Sequence, residues 1–300
     1  MDDFWIILTG ALVASSCALL GCFLLLRKMT MVGDAISHAV LPGIVLAYLV
    51  AQTRASLPML IGAALFGVLT TVLIEVLHKN GKLQVDAAIG VSFTWLFAIG
   101  VILITFFADK VDLDQECVLY GEIAYVPLDV WISNNGSNLG PISVWLMGAN
   151  LLIVLAFVLI GYKGLLITSF DPMLAATVGI STAFWHYALM SAVSLTTVLS
   201  FESVGAILVV AFLIGPAATA YLLTENLRKM LFIAVGAGIV AAVGGYLLAV
   251  AVDGSIAGAM AACIGLEFML AFLFAPQGGL LTAKQSFSKK DKQVVDLDFH

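Results

Sequence analysis

Charge is what this chain has least of. Only 11% of its 300 residues are Asp, Glu, Lys or Arg, against about 25% in a soluble globular domain, so a water-soluble enzyme or binding module is excluded. Basic residues are the scarcer sign, 13 against 19 acids for a net charge of −6, which argues against nucleic acid as a partner. Four cysteines, at 17, 22, 117 and 263, are too few for a disulfide scaffold and lack paired zinc spacing; three of them read as small buried hydrophobes. There is no G-x-x-x-x-G-K-[ST] phosphate loop and no paired catalytic constellation, so any nucleotide hydrolysis belongs to another chain. The first residues, Met1-Asp2-Asp3, are acidic where a signal peptide is basic, and the apolar run that follows to Leu26 is too long for a signal core. That run is read as a membrane span.

What is present in excess is apolar length. Hydrophobic residues make up 62% of the chain and mean hydropathy is +1.11. Runs of roughly 20 residues, enough to cross a bilayer as a helix, fall at about 5–26, 32–51, 57–77, 87–107, 140–161, 183–200, 203–223, 230–252 and 256–275. Only Phe201 and Glu202 separate the sixth and seventh runs, so a count of eight stays open beside nine. With nine spans and the N-terminus outside, eleven of the thirteen basic residues face the cytosol, leaving Arg54 and Lys110 outside. The positive-inside rule therefore predicts N-out and C-in. The expected fold class is all-α, a polytopic transmembrane helical bundle, with residues 1–280 as the membrane domain and 281–300 as a polar cytosolic tail, read as disordered.

Within this apolar chain, residues 33 to 43 stand out: Gly33-Asp34-Ala35-Ile36-Ser37-His38-Ala39-Val40-Leu41-Pro42-Gly43. Asp34 and His38 are four apart, so on a helix they lie on one face, close enough to share a ligand. Carboxylate with imidazole suits a divalent transition ion, and an ionisable residue within the membrane marks a functional site by default. Pro42 has no N–H to give the His38 carbonyl, which leaves an oxygen free beside the pair. The same pattern also suits a solvated helix start with Asp34 as an N-terminal acid. Basic Arg27 and Lys28 just before it put the pair near the cytosolic end of its span.

Other polar features divide by setting. Glu75, Asp86 and Glu225 fall near cytosolic span ends and read as interfacial. Glu202 sits at an outer helix junction, and Glu267 lies within the last span, where it calls for a polar partner. His186, between Trp185 and Tyr187, reads as an interfacial anchor. The stretch from Asp109 to Asp129 is acidic and external, a surface that concentrates cations; residues 131 to 141 form a polar, turn-rich lead into the fifth span. Gly236, Gly238, Gly244 and Gly245, with Gly254 and Gly258, let late helices approach closely. Pro216, after Gly215, is expected to break the seventh span. Finally, Asp171 before Pro172 can cap a short helix that Gly179 ends. That helix is either a docking element for a soluble partner or a plain connector.

The 33–43 stretch, the Phe170-Asp171-Pro172 segment, and Val204-Gly205-Ala206-Ile207-Leu208-Val209 running to Gly215-Pro216-Ala217-Ala218 together resemble the membrane permease of the manganese/zinc/iron ATP-binding-cassette importers (ABC-3 type). The resemblance covers about residues 5 to 280 with the motifs in family order, and the Val111 to Glu122 segment looks more like the manganese and iron branch. It implies a type II ABC importer-like bundle in the bacterial cytoplasmic membrane that holds no permanent cofactor and passes Mn²⁺, Zn²⁺ or Fe²⁺. It also implies a second permease copy or a sister permease, giving a homodimer or heterodimer, two cytosolic ATP-binding subunits, and an extracytoplasmic metal-binding lipoprotein. Asp34 and His38 match the family's metal pathway; Phe170, Asp171, Pro172 and Gly179 match its ATPase-coupling segment. The rival reading is a proton-coupled secondary transporter or channel, with Asp34 and His38 as a proton relay.

Overall fold

The computed structural model describes residues 2–51, 56–107, 123–132 and 138–275. The tail, the Val111 to Glu122 segment, most of the acidic stretch and Cys117 lie outside these residues. In chain order the helices are α1 (Asp2–Leu26), α2 (Met31–Ala39), α3 (Leu41–Ala51), α4 (Ser56–Lys79), α5 (Val85–Phe107), α6 (Ile142–Phe170), α7 (Pro172–Thr177), α8 (Thr182–Val204), α9 (Ala206–Leu223), α10 (Leu227–Val252) and α11 (Ile256–Phe274). Taking α2 and α3 as one interrupted span, nine segments among the described residues are long and apolar enough to cross a membrane.

The expected nine stands over eight because of one glycine. Gly205 adopts φ +80° and ψ 164°, a region in effect reserved for glycine, and it alone separates α8 from α9. A residue with a Cβ would resist that reversal. Among the described residues the fold is all-α apart from one short hairpin, β1 (Val130–Ile132) antiparallel to β2 (Asn138–Pro141), preceded by a 3-10 helix, Ile123–Leu128. The expected turn-rich lead is therefore partly a β-ribbon. Trp5 of α1 lies against Gly140, so the hairpin seats on the start of the first helix.

That first helix is the centre of the bundle. Its membrane stretch is 78% buried, against 17% for α11, and α6, α8, α9 and α10 all pack on it. Composition explains this: small residues at Ala14, Ser15, Ser16, Cys17, Ala18, Gly21 and Cys22 allow close approach from several sides. Ser15 and Ser16 return their hydroxyl hydrogens to the carbonyls of Ala11 (2.6 Å) and Leu12 (2.9 Å), so neither hydroxyl is stranded in the apolar interior. A Cβ on Gly21 would collide with the backbone of Leu213 in α9.

Two expectations about the late helices change. Pro216 lies inside α9 without breaking it. Of the six late glycines, Gly245 admits the Met260 backbone and a Cβ on Gly238 would stand 3.1 Å from Ala14 Cβ, whereas a Cβ on Gly236 or Gly254 would meet nothing within 4 Å. Close packing accounts for only part of that stripe.

Candidate functional site

Helix α2 is short and held from behind. Val32, Gly33, Ala35, Ile36 and Ala39 are buried, and a Cβ on Gly33 would stand 3.0 Å from Leu213 of α9. The stretch from Val204 to Ala218 thus packs against the stretch from Gly33 to Gly43. The helix pauses at Val40, one residue before α3, yet Val40 N–H still bonds the Ile36 carbonyl and Ile44 N–H bonds that of Val40, both at 3.1 Å. The interruption is therefore local to Pro42, whose ring is met by Gly100 of α5: a Cβ there would stand 2.9 Å from Cδ. Below Pro42, Gly43 and Gly62 bring α3 and α4 together; neither position has room for a side chain.

Asp34 and His38 emerge on the side of α2 away from Val32 and Ile36. His38 Nε2 lies 3.6 Å from Asp34 Oδ1, with the side chains 32% and 40% exposed respectively. That separation exceeds a hydrogen bond, so the two are side by side rather than joined. The imidazole is flanked by Phe93 and Phe97 of α5, ring centres 5.9 and 5.8 Å away. These aromatics fix the ring on an apolar wall and leave its other edge open. Asp34 lies about 5 Å and His38 about 10 Å along the helix from Met31, at 1.5 Å per residue, in the third of the span nearest Arg27. Among the described residues no cluster of three His, Cys, Asp or Glu side chains exists, so the pair has no third such ligand among them.

The Phe170 to Gly179 segment folds as its local chemistry predicts. Asp171 Oδ1 accepts from the Leu174 N–H at 2.9 Å, and Pro172 occupies the first turn of α7. At the other end Gly179 (φ +81°) places its N–H on the Ala176 carbonyl (3.2 Å) and the Ile180 N–H on that of Ala175 (2.9 Å). This paired closure satisfies carbonyls that a short helix would leave open. Phe170, Met173, Leu174 and Val178 are exposed, Met173 to 82%. Two of these lie on the helix itself and two flank it, an unusual density of exposed apolar side chains for so short an element.

Arg27 ties this segment to the end of α1. Its Nε donates to Ser169 Oγ (3.0 Å) and its Nη2 to Thr168 Oγ1 (2.8 Å). Burial pushes its guanidinium down to about 10, and the group still carries its charge at neutral pH. Lys28 (φ +58°) occupies the left-handed position that turns the chain from α1 toward α2.

The interior holds one cluster that the sequence reading missed. Glu75, expected at the interface, is only 9% exposed; it pairs with Lys79 one turn on, and its Oε2 lies 4.0 Å from His186 Nε2. His186 is thus a partner of a buried acid rather than a free interfacial anchor. The two line a cavity of about 450 Å³ with Arg27, Lys28, His78 and Lys79. No sequence pattern joins α4 to α8 here, and only the scarcity of charge pointed to Glu75. Glu267, expected to find a polar partner, makes no hydrogen bond or ion pair among the described residues and has only the Cys263 thiol, one turn earlier, as a polar neighbour; the side chain of Glu202 lies outside them.

Comparison with known proteins agrees with this architecture. The family model described as "ABC 3 transport family" matches residues 3–275. The manganese transport system membrane protein MntD of Bacillus subtilis is 49% identical over 282 residues, covering 94% of this chain and 95% of that protein. The zinc transport system membrane protein TroD of Treponema pallidum is 42% identical over 98% of this chain and 80% of its own length. Among solved structures, PsaBC from Streptococcus pneumoniae in complex with Fab matches with a TM-score of 0.76 at 32% identity, covering 93% of this chain and 94% of that one. The match over residues 3–275 and the two relatives at 49% and 42% identity show the lineage: this chain belongs to the ABC 3 transport family.

Proposed function

We propose that this chain is the permease subunit of an ATP-driven importer of a divalent transition metal ion, with manganese as the first choice of cargo and zinc or iron as the alternatives. The observation that carries the reading is the Asp34 and His38 pair, half-exposed on a broken helix with its imidazole braced by Phe93 and Phe97. An ion bonded to both atoms at about 2.1 Å would subtend an angle of roughly 120° across their 3.6 Å separation. Such a pair grips an ion without enclosing it. The remaining ligands come from water, the Pro42 break or a second permease copy, and an incomplete sphere lets a transported ion leave. Manganese leads because relatives such as MntD carry that metal in their names, while TroD is named for zinc; oxygen and nitrogen donors alone accommodate both.

ATP hydrolysis lies on separate cytosolic subunits, which dock on the exposed apolar side chains of α7. A metal-binding lipoprotein delivers the ion from outside, and the permease works as a homodimer or with a sister permease in the cytoplasmic membrane, N-terminus out. In this reading Asp34 and His38 receive the ion near the inner end of the pathway. Replacing either should lower uptake of radioactive Mn²⁺ by at least about tenfold, since even supporting residues around a metal cost 10–100-fold. Asp34→Asn and His38→Gln are the informative variants, because they keep approximate size while removing the carboxylate charge and the imidazole nitrogen, leaving at most a weaker amide oxygen. Wild-type uptake by both, in transporter that assembles normally, would overturn the site assignment.

A further inference from the structure

We propose that the cleft between α6 and α10 is a binding site for one anionic phospholipid. Both helices pack along α1, and between them a cavity of about 510 Å³ opens on the side of the bundle, its walls including Leu151, Leu155 and Leu159 from α6 and Leu231, Phe232 and Val235 from α10. Its floor is Ser15 and Leu19 of α1. Apolar walls alone would take any acyl chain or another helix. The ends decide between them.

At one end Arg228 lies 5.5 Å over the ring of Tyr162, and both residues line the cleft. Lys163 and Lys229, both exposed, are the chain neighbours of that pair, and the exposed Glu225 lies three residues before Arg228 along the chain. The Arg228 side chain is thus held at the mouth by an aromatic face, with its N–H groups left to meet an anion. From Tyr162 to Leu151 the cleft runs about 16 Å along α6 at 1.5 Å per residue. One leaflet of hydrocarbon is about 15 Å, half of the ~30 Å core. A lipid whose phosphate sits at Arg228 therefore lays its acyl chain along the whole groove and ends where the groove ends. Basic pockets between transmembrane helices at the headgroup level select anionic lipids in this way. A second protein helix would need the groove to continue past the midplane and would bury Arg228 without a counter-charge. This inference depends only on which end of the helices meets the membrane surface and not on the transported ion.

The test is native mass spectrometry of the assembled transporter, purified in detergent containing equal amounts of phosphatidylglycerol and phosphatidylcholine. Wild-type protein is expected to retain phosphatidylglycerol at least about fivefold over phosphatidylcholine, the selectivity of about one basic contact. Arg228→Gln should bring that ratio close to one, and Leu155→Trp, which fills the groove, should lower retention of both lipids with the complex mass unchanged. Equal retention of the two lipids by the wild type, or a preference untouched by both variants, overturns the proposal. So does a Leu155→Trp protein that loses a subunit while its lipid content stays the same, because a second chain would then be the occupant.

Discussion

Arg27 is held by two hydroxyls, with no carboxylate paired to it among the described residues. Burying a guanidinium costs several kcal/mol, and hydrogen bonds from a charged donor return about 1.5–3 kcal/mol each. The two sides nearly cancel. Thr168 also keeps a bond of its own to the Gly164 carbonyl at 2.7 Å, so removing the arginine strands only Ser169. Arg27→Met should therefore change thermal stability by no more than about 1 kcal/mol. Transport is a different matter, since this side chain, four residues before α2 begins, connects the α1–α2 turn to the last turn of α6, which leads into α7. The expected result is an assembled transporter that still hydrolyses ATP while metal uptake falls several-fold. Uptake equal to wild type would mean the contact is only packing. Nothing in the sequence announced this link, because serine and threonine are common in membrane helices and their partner lies far away along the chain.

Helix α7 shows what an element owes to its ends. Six residues cannot form a stable helix by propensity alone, so its shape depends on Asp171 at one end and Gly179 at the other. Asp171→Ala removes the cap and should cost about 1 kcal/mol; Gly179→Ala forces a left-handed alanine at about 1–2 kcal/mol. Both penalties fall on an exposed segment, so they should loosen it without unfolding the bundle. Faster amide exchange across residues 172–177, together with weaker co-purification of the ATPase, is the predicted outcome, and Met173→Asp should reduce co-purification with the cap intact. Full ATPase recovery with all three variants would leave α7 as a connector. This element was legible because Asp-Pro and Gly act through bonds within a few residues. The nine spans were legible for a similar reason, since length and hydropathy are local sums. Which face of each span is buried was not. Lipid and protein interior are equally apolar, so spans such as α1 and α11 carry no amphipathic stripe, and the sequence could neither centre α1 nor predict that Glu75 meets His186. For Glu267 the expectation of a partner rested on cost alone, and cost does not choose a neighbour. The Asp34 and His38 pair was found because their spacing and the rarity of charge are both local, whereas Phe93 and Phe97, which brace the imidazole, come from another helix.

At the scale of the whole molecule, an odd number of spans puts the two ends of the chain on opposite sides of the membrane. The structure adds to the sequence argument by gathering basic side chains that are distant in the chain. Arg27 binds the turn before α7, Lys79 lies one turn beyond Glu75 beside His186, and Arg228 rests on Tyr162. All of these stand at the same end of the bundle as α7. If that end faces the cytosol, ATP-binding subunits can reach α7; if it faces outward, they cannot. Orientation is thus a condition of the proposed function as well as a consequence of the positive-inside rule. A green fluorescent protein fused after residue 300 should fluoresce, since it matures only in the cytosol, and alkaline phosphatase inserted near residue 110 should be active, since it folds only outside. Active phosphatase at the C-terminal fusion would reverse the topology, place α7 outside, and remove the ATPase from the mechanism, leaving Asp34 and His38 to act in a gradient-driven carrier.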